Sequence, residues 1–96
     1  MVRYALLSLA FLSAPAIAAG GFQAQTSTAP SPARFVARDS IWRCADTQCV
    51  STNRTSTRPA IVCSALARQV GALRGFAADG RPFDARQLEN CNGRGR

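Results

Sequence analysis

Residues 41–49, IWRCADTQC, place two cysteines on either side of four residues, next to the single tryptophan of the chain. The apolar pairs 35–36 and 41–42 favour a strand before this segment, and the run CVST that begins at Cys49 favours a strand after it. The four residues ADTQ at 45–48 suit a hairpin loop. Cys44 and Cys49 would then face each other across the ladder, within reach of a disulfide bond. Asp39-Ser40 interrupts the alternation of the first strand, which allows a bulge there.

Four cysteines, Cys44, Cys49, Cys63 and Cys91, follow the spacing C-x4-C-x13-C-x27-C. In a short exported chain this number indicates two disulfides, for which the sequence alone permits three connectivities. A zinc site is the alternative, but it would need all four thiolates because the chain has no histidine. The motif C-x-x-C of thioredoxin-like redox sites is absent from the sequence. We therefore expect disulfides and no bound metal or cofactor.

A helix is predicted over residues 58–71, RPAIVCSALARQVG. Ser56 or Thr57 can cap it, Pro59 suits its first turn, and Gly71 suits the position just past its end. The spacing of its apolar residues places Cys63 on the face that points into the core, together with Val62, Leu66 and Val70.

A second hairpin and a second helix are predicted after it. Asp79-Gly80 is a turn signal between two short segments, 76–78 and 81–83, although Pro82 weakens the second strand. Asp84 with Gln87 forms a predicted capping box, and Leu88 and Cys91 share the inner face of the helix that follows. Two inward cysteines on two helices favour the bridge Cys63–Cys91 beside Cys44–Cys49. The predicted fold is a small disulfide-stapled α+β domain of short antiparallel hairpins and two helices.

The N-terminus has the organisation of a secretory signal peptide. Arg3 precedes an apolar run, YALLSLAFL at 4–12, and an A-x-A site at 16–18 follows. The run is shorter than the roughly 18 to 20 residues of a membrane-spanning helix. We expect cleavage near Ala18 or Ala19 and a periplasmic or extracellular location.

The expected organisation is a signal peptide at 1–19, a flexible linker at 20–33, the folded domain at 34–92 and a basic tail at 93–96. The linker prediction depends on the abundance of Gly, Ser, Thr and Pro in GGFQAQTSTAPSPA.

Three patterns resemble a family of small exported proteins of alphaproteobacteria with no assigned function: D-S-I-W-R-C-x4-C-V at 39–50, R-P-A-I-V-C-x2-L-A-R-x-V-G-x-L at 58–73 and F-x-A-D-G-R-P-x-D-A-x2-L-x2-C-N at 76–92. The resemblance covers most of the predicted domain. It implies a bacterial periplasmic or secreted location, and it brings no activity, ligand or catalytic residue to this chain.

The composition argues against catalysis. The chain has neither histidine nor lysine, and the cysteines are expected to be oxidised, so the commonest general bases and nucleophiles are missing. Twelve arginines stand against five acids, and loss of Arg3 with the signal leaves a net charge of +6. This charge can serve an anion-binding surface, but the scatter of arginines in a lysine-free chain also fits a G+C-rich genome, the reading that we favour. Nucleic-acid binding is disfavoured by export and by the lack of aromatics interleaved with arginines.

We therefore expect a non-catalytic, monomeric binding protein that does not span the membrane and contacts an envelope protein or an anionic envelope surface. The alternative is a structural or stress-related envelope protein without a small ligand. Candidate contacts are Arg54 and Arg58 at the polar loop 51–57, the tail arginines Arg94 and Arg96, and Trp42. The loop can equally be a solvated connection. Trp42 is expected to pack in the core or on the disulfide, with a role as an exposed binding anchor as the alternative.

Overall fold

A computed structural model describes residues 21–53 and 55–94 of the chain. These residues form one antiparallel sheet and two helices, which confirms the predicted α+β class. The strands and helices follow in the order β1 (Phe22–Thr26), β2 (Arg34–Ala37), β3 (Ser40–Ala45), β4 (Gln48–Ser51), α1 (Pro59–Val70), β5 (Leu73–Ala78), β6 (Arg81–Pro82) and α2 (Ala85–Arg94). Both disulfides are formed as predicted, Cys44–Cys49 and Cys63–Cys91.

The strand order across the sheet is β2-β3-β4-β1-β5-β6, so β1 lies in the middle between β4 and β5. This strand falls inside the range 20–33 that the composition predicts as a linker, and for residues 22–26 that prediction is wrong. Phe22, Ala24 and Thr26 are buried, whereas the two glutamines between them face outward. The alternation F-Q-A-Q-T is therefore a strand signal. The Ser, Thr and Pro residues that follow it conceal this signal when the composition is averaged over the whole segment.

The disulfide-bearing hairpin also differs in detail from its prediction. A turn at Arg38-Asp39, where Arg38 has φ 59°, separates β2 from β3, so the break in alternation there ends a strand and is not a bulge. At the other end of β3, Ala45 pairs with Gln48, which shortens the expected loop to Asp46-Thr47. Cys44 and Cys49 are direct cross-strand partners with their Cα atoms 4.0 Å apart, as predicted.

Both helices pack on one face of the sheet, which we call the inner face. Its core contains Phe22, Trp42 and Phe76, whose ring centroids are 5.8 to 6.3 Å apart. Val62, Leu66 and Cys63 of α1 are buried against this aromatic cluster. Cys91 of α2 is also buried, so the Cys63–Cys91 bridge joins the two helices inside the core.

The helix ends agree with the sequence in part. Arg58, and neither Ser56 nor Thr57, is the N-cap of α1, and its side chain makes no capping hydrogen bond. Pro59 explains why the helix begins here, because the residue before a proline is held in extended geometry, at ψ 145° for Arg58. Gly71 ends the helix with φ 92°, as expected.

The second helix begins with the predicted capping box. The amide of Gln87 donates to Asp84 Oδ1 at 2.8 Å, and the amide of Asp84 donates to Gln87 Oε1 at 2.9 Å. Neither helix is long and apolar enough to cross a membrane.

Candidate functional site

A groove runs between the start of α1, the β5–β6 hairpin and α2. It consists of two adjoining cavities of about 790 and 360 Å³, which share Arg58, Ala60, Phe83 and Gln87. Arg81 lines the larger cavity and Arg94 lines the smaller one. We call this site the arginine groove, after Arg58, Arg81 and Arg94.

Each of the three arginines is placed by a local structural signal. Arg58 precedes Pro59 and takes the extended conformation that a proline imposes on its neighbour. Arg81 opens β6 directly after the turn Asp79-Gly80, in which both residues have positive φ. Arg94 is the last residue of α2. Sequence positions up to 36 residues apart therefore meet at one surface.

The electrostatic character of the groove is positive. None of the three arginine side chains forms an ion pair or hydrogen bond with another described residue. Asp79 is the one carboxylate among the lining residues. The N-terminus of α1, which has no acidic residue in its first turn, adds the positive end of its dipole. These groups favour an anionic ligand.

The groove also has an apolar wall. Phe83 is half-buried and packs on Phe76 with ring centroids 4.8 Å apart. Ile61 on the opposite side is 37% exposed. An anionic head with an apolar or sugar-like body therefore matches the lining better than a bare ion does.

The sequence-predicted contacts divide into three groups. Arg58 and Arg94 lie at the same groove, although no sequence pattern links the two positions. Trp42 is fully buried, which confirms the expected packing in the core and contradicts its alternative role as an exposed binding contact: its position on the inner face of β3 directs it into the core. Arg54, Arg96 and the predicted signal peptide at 1–19 lie outside the described residues.

Sequence reasoning missed Arg81 and Phe83 as site residues. The pattern of this segment predicts only a turn at Asp79-Gly80 and a weak strand over 81–83. The turn at Asp79-Gly80 is a signal that could have located Arg81. A two-residue turn makes Arg81 the cross-strand partner of Ala78, so both side chains lie on the same face of the sheet.

The polar loop 51–57 is engaged in internal hydrogen bonds. The Asn53 side chain accepts from the Ile41 amide at 2.8 Å and donates to the Asp39 carbonyl at 2.9 Å, which ties the loop to the start of β3. The Thr55 and Thr57 hydroxyls donate to Asp39 Oδ2 at 2.6 and 2.8 Å. These two hydrogen bonds, that from Thr55 first, lower the pKa of Asp39 below its ordinary value of 3.8.

All four cysteines are oxidised in the two disulfides, so no thiolate remains for the zinc site that was the alternative. Within residues 21–53 and 55–94, no group of three or more acidic, cysteine or histidine side chains is arranged to hold a metal ion. Two disulfides in so small a domain are typical of an oxidising compartment.

Comparison with known proteins gives a family and no relative of known activity. A model described as a family of unknown function (DUF8200) matches residues 6–93, well beyond the segment 39–92 that carries the sequence resemblance. No curated protein and no solved structure matches the chain.

Proposed function

Because the chain belongs to this family of unknown function, we propose a function from its own groove: a non-catalytic, exported protein that binds a phosphate- or carboxylate-bearing component of the bacterial envelope. The ligand class is an anionic head on a sugar-like or apolar body. Export is supported by the signal-like N-terminus and by the two disulfides. The alphaproteobacterial origin and the periplasmic location belong to the same proposal.

One observation carries the proposal: three arginines from separate parts of the chain meet at one groove without a described carboxylate partner for their side chains. A guanidinium holds a phosphate or carboxylate through two parallel hydrogen bonds, which makes arginine the preferred residue for such anions. Scattered surface arginines of purely genomic origin would have no reason to converge around an aromatic side chain.

The test uses isothermal titration of the purified protein with a doubly phosphorylated glucosamine disaccharide that carries no acyl chains. The double variant R58Q/R94Q should weaken binding at least about tenfold, since each charged hydrogen bond contributes about 1.5 kcal/mol or more. The matched control is R74Q/R86Q, which removes the same charge at two exposed arginines that do not line the groove and should leave the affinity within about twofold of wild type.

Two outcomes would count against this function. Equal weakening by both double variants would mean that net charge alone attracts the disaccharide. Absence of heat with the disaccharide, and with inorganic phosphate at millimolar concentration, would leave the groove without an anionic ligand. A structural envelope protein without a small ligand would then be the better description.

A further inference from the structure

The face of the sheet that turns away from the helices, which we call the open face, carries a continuous row of outward-pointing side chains. Following the register from β2 to β6, the row contains six residues that are cross-strand neighbours: Arg34, Arg43, Val50, Gln23, Ala77 and Pro82. Neither described helix covers this face, because α1 and α2 both pack on the inner face. The open face is therefore a broad surface available for contact.

Exposed aliphatic side chains lie next to the arginines of this row. Val36 and Ile41 are direct cross-strand partners and are 58% and 56% exposed. Val50, the neighbour of Arg43 on β4, is 41% exposed. These three are the most exposed large apolar side chains among the described residues, and they form one side of the open face.

The charge of the open face has one sign. Arg34 and Arg43 are directly opposite each other, an arrangement that destabilises a strand pair unless an anion lies between the guanidinium groups. Neither side chain has an ion-pair partner among the described residues. The outward residues of the six strands include no acid, and the nearest carboxylate, Asp39 in the β2–β3 turn, accepts hydrogen bonds from Thr55 and Thr57.

This combination selects among occupants. A second copy of the chain stacked on the open face would bring arginines against arginines. A lipid bilayer offers phosphates at one depth and hydrocarbon just below it, which matches both the arginines and the aliphatic side chains of the open face. The aliphatic part of an arginine can lie along apolar surface while its guanidinium group stays with the phosphate. We propose that the open face docks on an anionic lipid bilayer, with Val36, Ile41 and Val50 in the interfacial layer and Arg34 and Arg43 on lipid phosphates. This site is separate from the arginine groove and does not depend on it.

The experiment is co-sedimentation of residues 20–96, which include every described strand and helix and both disulfides, with vesicles of phosphatidylglycerol and phosphatidylcholine in a 3:7 ratio. Pure phosphatidylcholine vesicles are the neutral control. We expect R34Q/R43Q to lower the partition coefficient about thirtyfold, at roughly fivefold per arginine near the surface. V36S/I41S should also weaken binding, and R58Q/R94Q should reduce it by less than about threefold. The emission of the buried Trp42 verifies that each variant is folded.

The proposal is overturned if wild type fails to bind the anionic vesicles, which would leave a protein partner as the occupant of the face. It is also overturned if R58Q/R94Q abolishes binding while R34Q/R43Q does not. That result would assign the lipid headgroup to the groove and would support the proposed function while removing this one. If the arginine groove does not bind an anionic ligand, only the disaccharide titration shows it. The two proposals can therefore fail independently.

Discussion

At the scale of single residues, asparagine side chains join neighbouring segments through hydrogen bonds to the backbone. The Asn92 side chain donates to the carbonyl of Leu73 and accepts from its amide, both at 2.9 Å, and so joins α2 to β5. The Asn53 side chain joins the loop after β4 to the backbone of Asp39 and Ile41 in the same way. Trp42 has the opposite character, since its buried indole N–H finds no partner among the described residues. Its role is to fill the core, which explains why it cannot act as a binding anchor.

Asp39 gives a pH-dependent prediction at this scale. Its folded-state pKa is depressed by the Thr55 and Thr57 hydroxyls, so its contribution to stability is present above the unfolded pKa and is lost as pH falls through the folded value. We expect an NMR titration of the Asp39 carboxyl carbon to give a midpoint below 3.8. The variant T55V should move that midpoint upward.

The control for this titration is S56A, since no hydrogen bond joins Ser56 to Asp39. It should leave the midpoint of Asp39 unchanged. An unshifted midpoint in T55V would mean that the Thr55 hydroxyl does not hold the carboxylate in solution.

At the scale of secondary-structure elements, one disulfide lies within a hairpin and the other joins the two helices. Cys44–Cys49 closes a hairpin that its own turn already defines, across a sequence separation of 5 residues. Cys63–Cys91 fixes α1 to α2 across a separation of 28 residues, with both cysteines buried. In the chain-entropy description the short loop contributes about 2.2 kcal/mol and the long loop about 3.6 kcal/mol.

We therefore expect C63S/C91S to destabilise the protein more than C44S/C49S does. The entropic difference is about 1.4 kcal/mol, and the loss of packing at two core positions adds to it. Urea denaturation of both double variants measures the two free energies of unfolding. Equal midpoints with equal slopes would show that the helix–helix bridge has no greater role than the hairpin bridge.

At the scale of the whole molecule, β1 makes a single sheet out of two hairpin systems. It pairs with β4 over Phe22–Gln25 and with β5 over Phe22–Thr26, whereas the described β4 and β5 have no pairing with each other. Without it, the strands before α1 and those after it would have unpaired edges and an uncovered apolar face. An edge of that kind favours aggregation.

Residues 34–96, the domain as predicted from composition, should therefore fail to fold, whereas residues 20–96 should fold. Within the longer chain, Ala24→Asp should unfold the protein because position 24 is 1% exposed. Gln23→Asp, which places the same side chain on the open face, should cost less than about 1 kcal/mol. Near-ultraviolet circular dichroism compares the four proteins. A cooperative, native-like transition for residues 34–96 would show that β1 is dispensable.

Local signals account for much of what could be predicted. The DG turn, the D-x-x-Q capping box, Pro59 and Gly71 each act within a few residues, and helical spacing placed Cys63 and Cys91 on inward faces. The hairpin places Cys44 opposite Cys49, and once these two are paired, the inward-facing Cys63 and Cys91 are the remaining partners. The N-cap of α1 was misplaced because Thr57 finds its partner in Asp39, which is distant in sequence.

The fold class, the two helices and the inward direction of Cys63 and Cys91 follow from the sequence, because each is set by interactions between residues close along the chain. The tertiary structure is needed to show that β1 is central, that Arg58, Arg81 and Arg94 line one groove, and that Arg34 and Arg43 share the face that neither described helix covers. The physical reason is that strand order and helix placement depend on which apolar faces bury each other. That competition involves the whole chain, and no single window of sequence records its outcome.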